Sequence, residues 1–132
     1  MPKIPLKQVA ALYETLTMTF QNGGAVLNTG SSIAGAIQVP FACAIESVTL
    51  LADQSGSVVV DLWKDSYANY PPTVADTITA AALPTITTAD KSTDSTLTAW
   101  TKTLAAGDII LGNIDSVTSI TALKLILKVK RT

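Results

Sequence analysis

Near the C-terminal end the side chains alternate: Leu123, Leu125, Leu127 and Val129 fall on one side, and Lys124, Lys128 and Lys130 on the other, with Ile126 breaking the pattern. A repeat of two belongs to an extended strand, and an apolar row backed by a cationic one requires a sheet with one dry and one wet face. Similar alternation, with threonine in many of the polar positions, recurs along the chain. The clearest earlier case is Thr15-Leu16-Thr17-Met18-Thr19-Phe20, which sets Leu16, Met18 and Phe20 on one face. Asn22-Gly23 follows it and predicts a hairpin, and Asp53-Gln54-Ser55-Gly56 predicts a turn. Runs at 15–20, 33–39, 44–51, 57–63, 74–79, 95–101, 108–114 and 119–130 give about eight strands. Nothing longer than about ten residues reads as a helix. The expected fold is all-β: an eight-stranded jelly-roll sandwich. An immunoglobulin-like sandwich is the alternative, disfavoured because the Cys…Trp…Cys pattern is missing.

A chain of 132 residues has room for one domain. With 48% hydrophobic and 14% charged residues it is far from the composition of disordered chains. A pI near 5.1 supplies no overall attraction for nucleic acid. There is no histidine, and Cys43 is the sole cysteine, so His/Cys zinc sites, His-based triads and internal disulfides are excluded. Set among Phe41, Ala42, Ala44 and Ile45, Cys43 reads as a small buried hydrophobe. No signal peptide opens the sequence and no apolar run is long enough for a bilayer. The expected product is made in a cytoplasm and stays soluble, and if it reaches the outside it does so by another route, such as inside an assembled particle.

Residues 1–14 read as an arm ahead of a domain at 15–132. Pro2 and Pro5 favour extended backbone, and 5–13 is the best helical candidate, with Leu6, Val9 and Tyr13 on one side. Ile4, Leu6, Val9 and Leu12 make the arm too apolar to hang in water, so it is expected to pack on a partner. Charge is divided unevenly. Residues 46–115 hold nine acids against three lysines, while the chain ends on Lys128, Lys130 and Arg131. Those cations have two readings: protection of an edge strand, or docking to an acidic partner.

The densest chemical cluster runs from Asp61 to Asp76 and includes Trp63, Asp65, Tyr67, Asn69 and Tyr70. Paired carboxylates Asp61 and Asp65 could move protons, Asp and Asn oxygens could hold Ca²⁺, and aromatic faces beside Asn and Asp could cradle a sugar. Trp63, Tyr67, Asn69 and Tyr70 are the candidate glycan contacts. The plain alternative is a strand ending near Lys64 and a loop pinned by Tyr70-Pro71-Pro72. The cluster lacks the glycine-punctuated spacing of a calcium loop, so no metal or cofactor is expected. Lys91-Ser92-Thr93-Asp94-Ser95-Thr96 reads as plain polar loop, and Trp100 as a core or interface anchor. Gly23, Gly24 and Gly30 precede no helix and make no phosphate loop.

Several segments together resemble a module of tailed-bacteriophage virion proteins. They are Val39-Pro40-Phe41-Ala42-Cys43, the stretch from Val48 to Asp65, Tyr67 to Asp76, Leu97-Thr98-Ala99-Trp100-Thr101, and Ala106-Gly107-Asp108-Ile109-Ile110. The likeness covers about residues 15–130. It implies a trimeric jelly-roll domain, of a kind often found at the distal ends of tail fibres and presumed to bind host glycans; it assigns no binding residues. Fibre proteins place a long shaft before the module, whereas only a short arm precedes it here. The expectation is therefore a non-enzymatic homotrimer on the virion surface, a capsid decoration (cement) protein. It would attach to the major capsid protein or another virion protein through Ile4, Leu6, Val9, Leu12, Lys128, Lys130 and Arg131. A mean hydropathy of +0.39 with few charges suits a chain that buries surface against its copies. The alternative is a receptor-binding module of a tail or head fibre, with a host glycan as partner.

Overall fold

The alternating C-terminal segment forms β7 (Ala122–Arg131), with Leu123, Leu125, Leu127 and Val129 buried and Lys124, Lys128 and Lys130 exposed. This is a computed structural model, and it describes residues 12–132. Ile126, the break in the alternation, sits half-buried in the outward row. β1 (Tyr13–Gln21) lies antiparallel to β7 without a shift in register, from Tyr13↔Lys130 to Gln21↔Ala122. Leu16, Met18 and Phe20 point into the core, as their spacing requires. The other strands are β2 (Gly30–Gln38), β3 (Cys43–Asp65), β4 (Thr85–Asp94), the two-residue β5 (Thr103–Leu104) and β6 (Ile109–Thr118). The chain is all-β: a curled antiparallel sheet in the order β1-β7-β3-β6-β2, with β4 and β5 on the other edge of β3. Short 3₁₀ turns at Tyr67–Asn69 and Val74–Asp76 are the helical elements among the described residues.

Of the eight legible runs two merge in β3 and two form no strand, while β4 and β5 lie outside them all, which leaves seven strands. Residues 44–51 and 57–63 belong to one 23-residue strand that changes neighbours part-way. Its first half pairs with β7 (Cys43↔Arg131 to Ala52↔Leu123) and its second with β6 (Ser57↔Thr118 to Asp65↔Ile109). The segment Asp53-Gln54-Ser55-Gly56, expected as a turn, is the bend where this exchange happens. Side chains from the bend hold the β6–β7 connection. The Asp53 carboxylate accepts hydrogen bonds from the backbone N–H groups of Thr121 (3.1 Å) and Ala122 (2.9 Å) and from the Thr121 hydroxyl, and the Gln54 amide donates to the Ser119 carbonyl. A bulge at Glu46 shifts the buried positions of β3 from Cys43 and Ile45 to Val48 and Leu50, so the strand keeps its apolar face inward.

The hydrogen bonds to Asp53, that of the Thr121 hydroxyl first and that of the Ala122 N–H next, hold its carboxyl below the ordinary carboxylate range. A group whose pKa is lower folded than unfolded adds stability above its unfolded pKa, and that stability disappears as pH falls through the folded value. Urea midpoints measured from neutral pH down through the carboxylate range are expected to fall more steeply for the natural chain than for Asp53→Asn. Parallel curves would exclude this role for Asp53.

The curl brings β1 against β2 and β6. A Cβ on Gly112 would stand 2.5 Å from Phe20 Cζ and 3.0 Å from Met18 Sδ, and one on Gly35 would stand 3.4 Å from the Thr19 carbonyl oxygen. The core between is filled by Val58, Val60, Leu62, Ile86, Ile110 and Ile114 together with the inward rows of β1 and β7. Cys43 is fully buried, and burial, with the Asp108 charge second, pushes its thiol above the ordinary value. Trp100 is a core anchor, its Nε1–H donating to the Ala82 carbonyl at 2.8 Å.

Four local expectations are corrected. Asn22-Gly23 makes a turn but no hairpin, because β1 pairs with β7 and β2 with β6. The run 74–79 is no strand: Thr73 and Asp76 form a capping box that winds Val74–Asp76 into a 3₁₀ turn, leaving an isolated bridge between Thr77 and Trp63. The run 95–101 is a turn, since the Asp94 carboxylate accepts from the N–H groups of Thr96 (2.9 Å) and Leu97 (3.3 Å), and Leu97 and Ala99 take positive φ. Conversely, Lys91 to Asp94, expected as loop, belongs to β4 and pairs with Leu51 to Val48.

Candidate functional site

The aromatic cluster is built where β3 ends. Asp61 and Trp63 are two residues apart on the same strand and so share a face, and the Trp63 Nε1–H donates to Asp61 Oδ2 at 3.0 Å. The segment after the capping box runs back beside β3, with the Ile78 N–H bonded to the Leu62 carbonyl. This brings the hydroxyls of Thr77 and Thr79 to Asp61 Oδ1 at 2.6 and 2.8 Å. Asp61 is only 7% exposed, and three donors satisfy it. Asp65 Oδ1 accepts from the Ser66 N–H at 2.8 Å and from the Asn69 amide at 3.4 Å, and Asp76 Oδ2 accepts from the Thr73 N–H at 2.8 Å. The carboxylates that the sequence offers for acid–base work are thus used to hold their own loop. Among the described residues no three His, Cys, Asp or Glu side chains converge on a point that could take a metal ion.

That scaffold presents apolar groups to solvent. Tyr67 is 74% exposed, Tyr70 42% and the neighbouring Val74 67%, while Trp63 is half-buried with its indole N–H already engaged. The four glycan candidates therefore divide: Tyr67, Asn69 and Tyr70 share one exposed turn, and Trp63 stands beside it as part of the support.

The attachment candidates divide as well. Ile4, Leu6 and Val9, and most of the helical candidate at 5–13, lie outside the described residues; Tyr13 begins β1. Leu12, Lys128, Lys130 and Arg131 come together where β1 starts and β7 ends, the Arg131 N–H donating to the Leu12 carbonyl at 2.7 Å. The ammonium groups of Lys128 and Lys130 lie 5.0 and 5.7 Å from the centre of the Tyr13 ring. The Arg131 guanidinium covers Phe41 at 4.0 Å and meets Glu14 at 4.0 Å. Cation–π contact with an aromatic ring fixes cations that would otherwise move freely.

No family model matches the chain, and no curated protein matches it. Among the described residues no helix is long and apolar enough to cross a membrane.

The two candidate surfaces lie at the same end of the domain. Lys64 next to the aromatic turn reaches the Thr103 carbonyl (3.2 Å) and the Asp108 carboxylate (3.5 Å). β5, which contains Thr103, pairs with Cys43 and Ala44, and Cys43 in turn pairs with Arg131. Sequence periodicity places Trp63 and Lys128 on strands, but this shared end depends on pairings between residues some sixty to ninety positions apart and has no local signature. Reading 91–96 as loop also hides Lys91, which the fold sets on the same outward face as Lys124 and Lys128.

Proposed function

We propose that the chain is a non-enzymatic structural protein of a bacteriophage virion, a jelly-roll homotrimer that decorates and stabilises the capsid. The observation that carries this reading is the gathering of its contact groups at one end. Leu12, where the apolar arm joins the domain, stands with Lys128, Lys130 and Arg131, and the same end bears the exposed Tyr67, Tyr70 and Val74. The resemblance to phage virion modules and the long, paired strands support the same conclusion. Attachment to the major capsid protein would use three arms and three basal surfaces together, so that modest contacts add through linkage. A protein that binds only the assembled lattice stabilises it by mass action.

Removal of residues 2–12 is expected to abolish co-sedimentation with capsids while leaving a folded trimer by light scattering. Undiminished binding by the truncated chain would refute attachment through the arm. Hundreds of copies per particle in gel densitometry would agree with decoration; a few tens would not.

A second reading, a receptor-binding module of a tail or head fibre, is favoured by one feature: Tyr67, Asn69 and Tyr70 stand on a single exposed turn, the mixture of ring faces and an amide that suits a sugar. Binding on a glycan array that disappears in Tyr67→Ala would support it over decoration.

A further inference from the structure

Three shallow depressions lie on the outward face of β1, β7, β3 and β4 and run into one another. One, of about 380 Å³, is lined by Tyr13, Glu14, Thr15, Ser47, Thr49 and Lys128. The next, of about 460 Å³, is lined by Thr49, Leu51, Lys91, Ser92 and Thr93. The third, of about 180 Å³, takes in Thr19, Leu51, Asp53 and Lys124. Thr49 belongs to the first two and Leu51 to the last two, so together they form one continuous groove. Strand register orders its floor in rows: Thr15, Lys128 and Ser47; then Thr17, Ile126, Thr49 and Thr93; then Thr19, Lys124, Leu51 and Lys91. Rows follow one another at roughly 7 Å along the strands, and neighbours within a row at roughly 5 Å.

The charge of this face is unbalanced. Among the described residues no carboxylate lies within 4.0 Å of Lys91, Lys124, Lys128 or Lys130, the ion pairs being Lys64–Asp108 and Arg131–Glu14. Residues 1–11 contain Lys3 and Lys7 but no Asp or Glu, so the arm of this chain or of a copy brings no counter-charge. Of the acids nearby, Glu14 faces Arg131, Asp53 is taken up by Thr121 and Ala122, Asp94 by Thr96 and Leu97, and Glu46 occupies the bulge beside the row of Lys128. Asp90, next to Lys91 on β4, is exposed and makes no ion pair with it. The face is thus open to an anion carried by another molecule.

We propose that the groove binds a linear acidic polysaccharide. Lysine ammonium groups meet carboxylate or sulfate, threonine and serine hydroxyls both donate to and accept from sugar hydroxyls, and Leu51 and Ile126 supply apolar contact for the C–H faces of sugar rings. The cores of protein–protein interfaces are depleted in lysine and centred on aromatic or arginine anchors. Here the one large ring is Tyr13, and Lys128 and Lys130 occupy its neighbourhood, which also denies a nucleobase its stacking platform. The groove shares Lys128 with the end proposed for capsid attachment and lies apart from the Tyr67 turn.

The test uses the full chain on surfaces bearing polygalacturonate, dextran sulfate, neutral dextran, polyglutamate or single-stranded DNA. Both acidic polysaccharides are expected to bind at low salt and to be released as ionic strength rises, and neutral dextran to be ignored. The combined Lys91→Gln, Lys124→Gln and Lys128→Gln variant is expected to lose about tenfold or more in affinity with unchanged thermal unfolding, and Lys102→Gln to bind as the natural chain does. Failure of both acidic polysaccharides to bind, or equal binding by the triple variant, would overturn the proposal. Tighter binding of polyglutamate or DNA than of either polysaccharide would overturn it too, in favour of an acidic protein or a nucleic acid.

Discussion

Gly56→Ala is expected to lower stability by about 3 kcal/mol, the upper end of ordinary overpacking costs. Gly56 lies at the bend of β3, where a Cβ would collide with the Thr118 carbonyl oxygen and stand 2.8 Å from Ile120 Cγ1. The first of these is backbone, held by the pairing of β6 with β3, so it cannot swing aside. Gly112→Ala is the informative comparison. Its Cβ would meet Phe20 Cζ and Met18 Sδ, both ends of side chains that can turn, and a cost of about 1–2 kcal/mol is expected. Urea unfolding of the two variants gives the order directly. Equal stability of Gly56→Ala and the natural chain would mean that β3 does not run unbroken through the bend.

Asp61→Ala is expected to cost about 2 kcal/mol, because it leaves the buried Thr79 hydroxyl and the partly buried Trp63 indole N–H and Thr77 hydroxyl without their acceptor. Asp61→Asn keeps an oxygen for Thr77 and Thr79 but turns an amide N–H₂ toward the Trp63 donor, and a smaller loss follows. In a Trp100→Phe background, the fluorescence of Trp63 is expected to shift to the red in Asp61→Ala as the ring loses its fixed position. If Asp61→Ala unfolds at the same urea concentration as the natural chain, the carboxylate does not organise this loop.

Much of the architecture can be read locally. Leu123 to Val129 and Leu16 to Phe20 have one wet and one dry side, and that is enough to specify β7 and β1 and their orientation. Both halves of β3 are visible for the same reason. What escapes is decided by distant partners. Asp53 resembles a turn residue because Asp, Gln, Ser and Gly usually make turns, yet its carboxylate serves Thr121, 68 positions away. β4 is hidden by its composition: in TITTADKSTD few side chains beyond Ile86 and Ala89 meet the core, and the rest face water, so alternation is too faint to see. The candidate site follows the same rule. The aromatics and acids between Asp61 and Asp76 stand out in the sequence, but the use of Asp61 depends on Thr77 and Thr79 being folded back beside the strand, which no spacing announces.

The union of β1 with β7 also bears on how the molecule comes into being. Tyr13 to Gln21, near the beginning, finds its partner only in Ala122 to Arg131, near the end. Contacts so far apart in the chain form slowly, because a long loop must close before they give any return. Until β7 has been made the early strand stays unmatched, with its Leu16, Met18 and Phe20 side chains open to neighbouring nascent chains. That interval during synthesis is the moment of greatest danger from aggregation, and it closes only when the last strand seats beside the first.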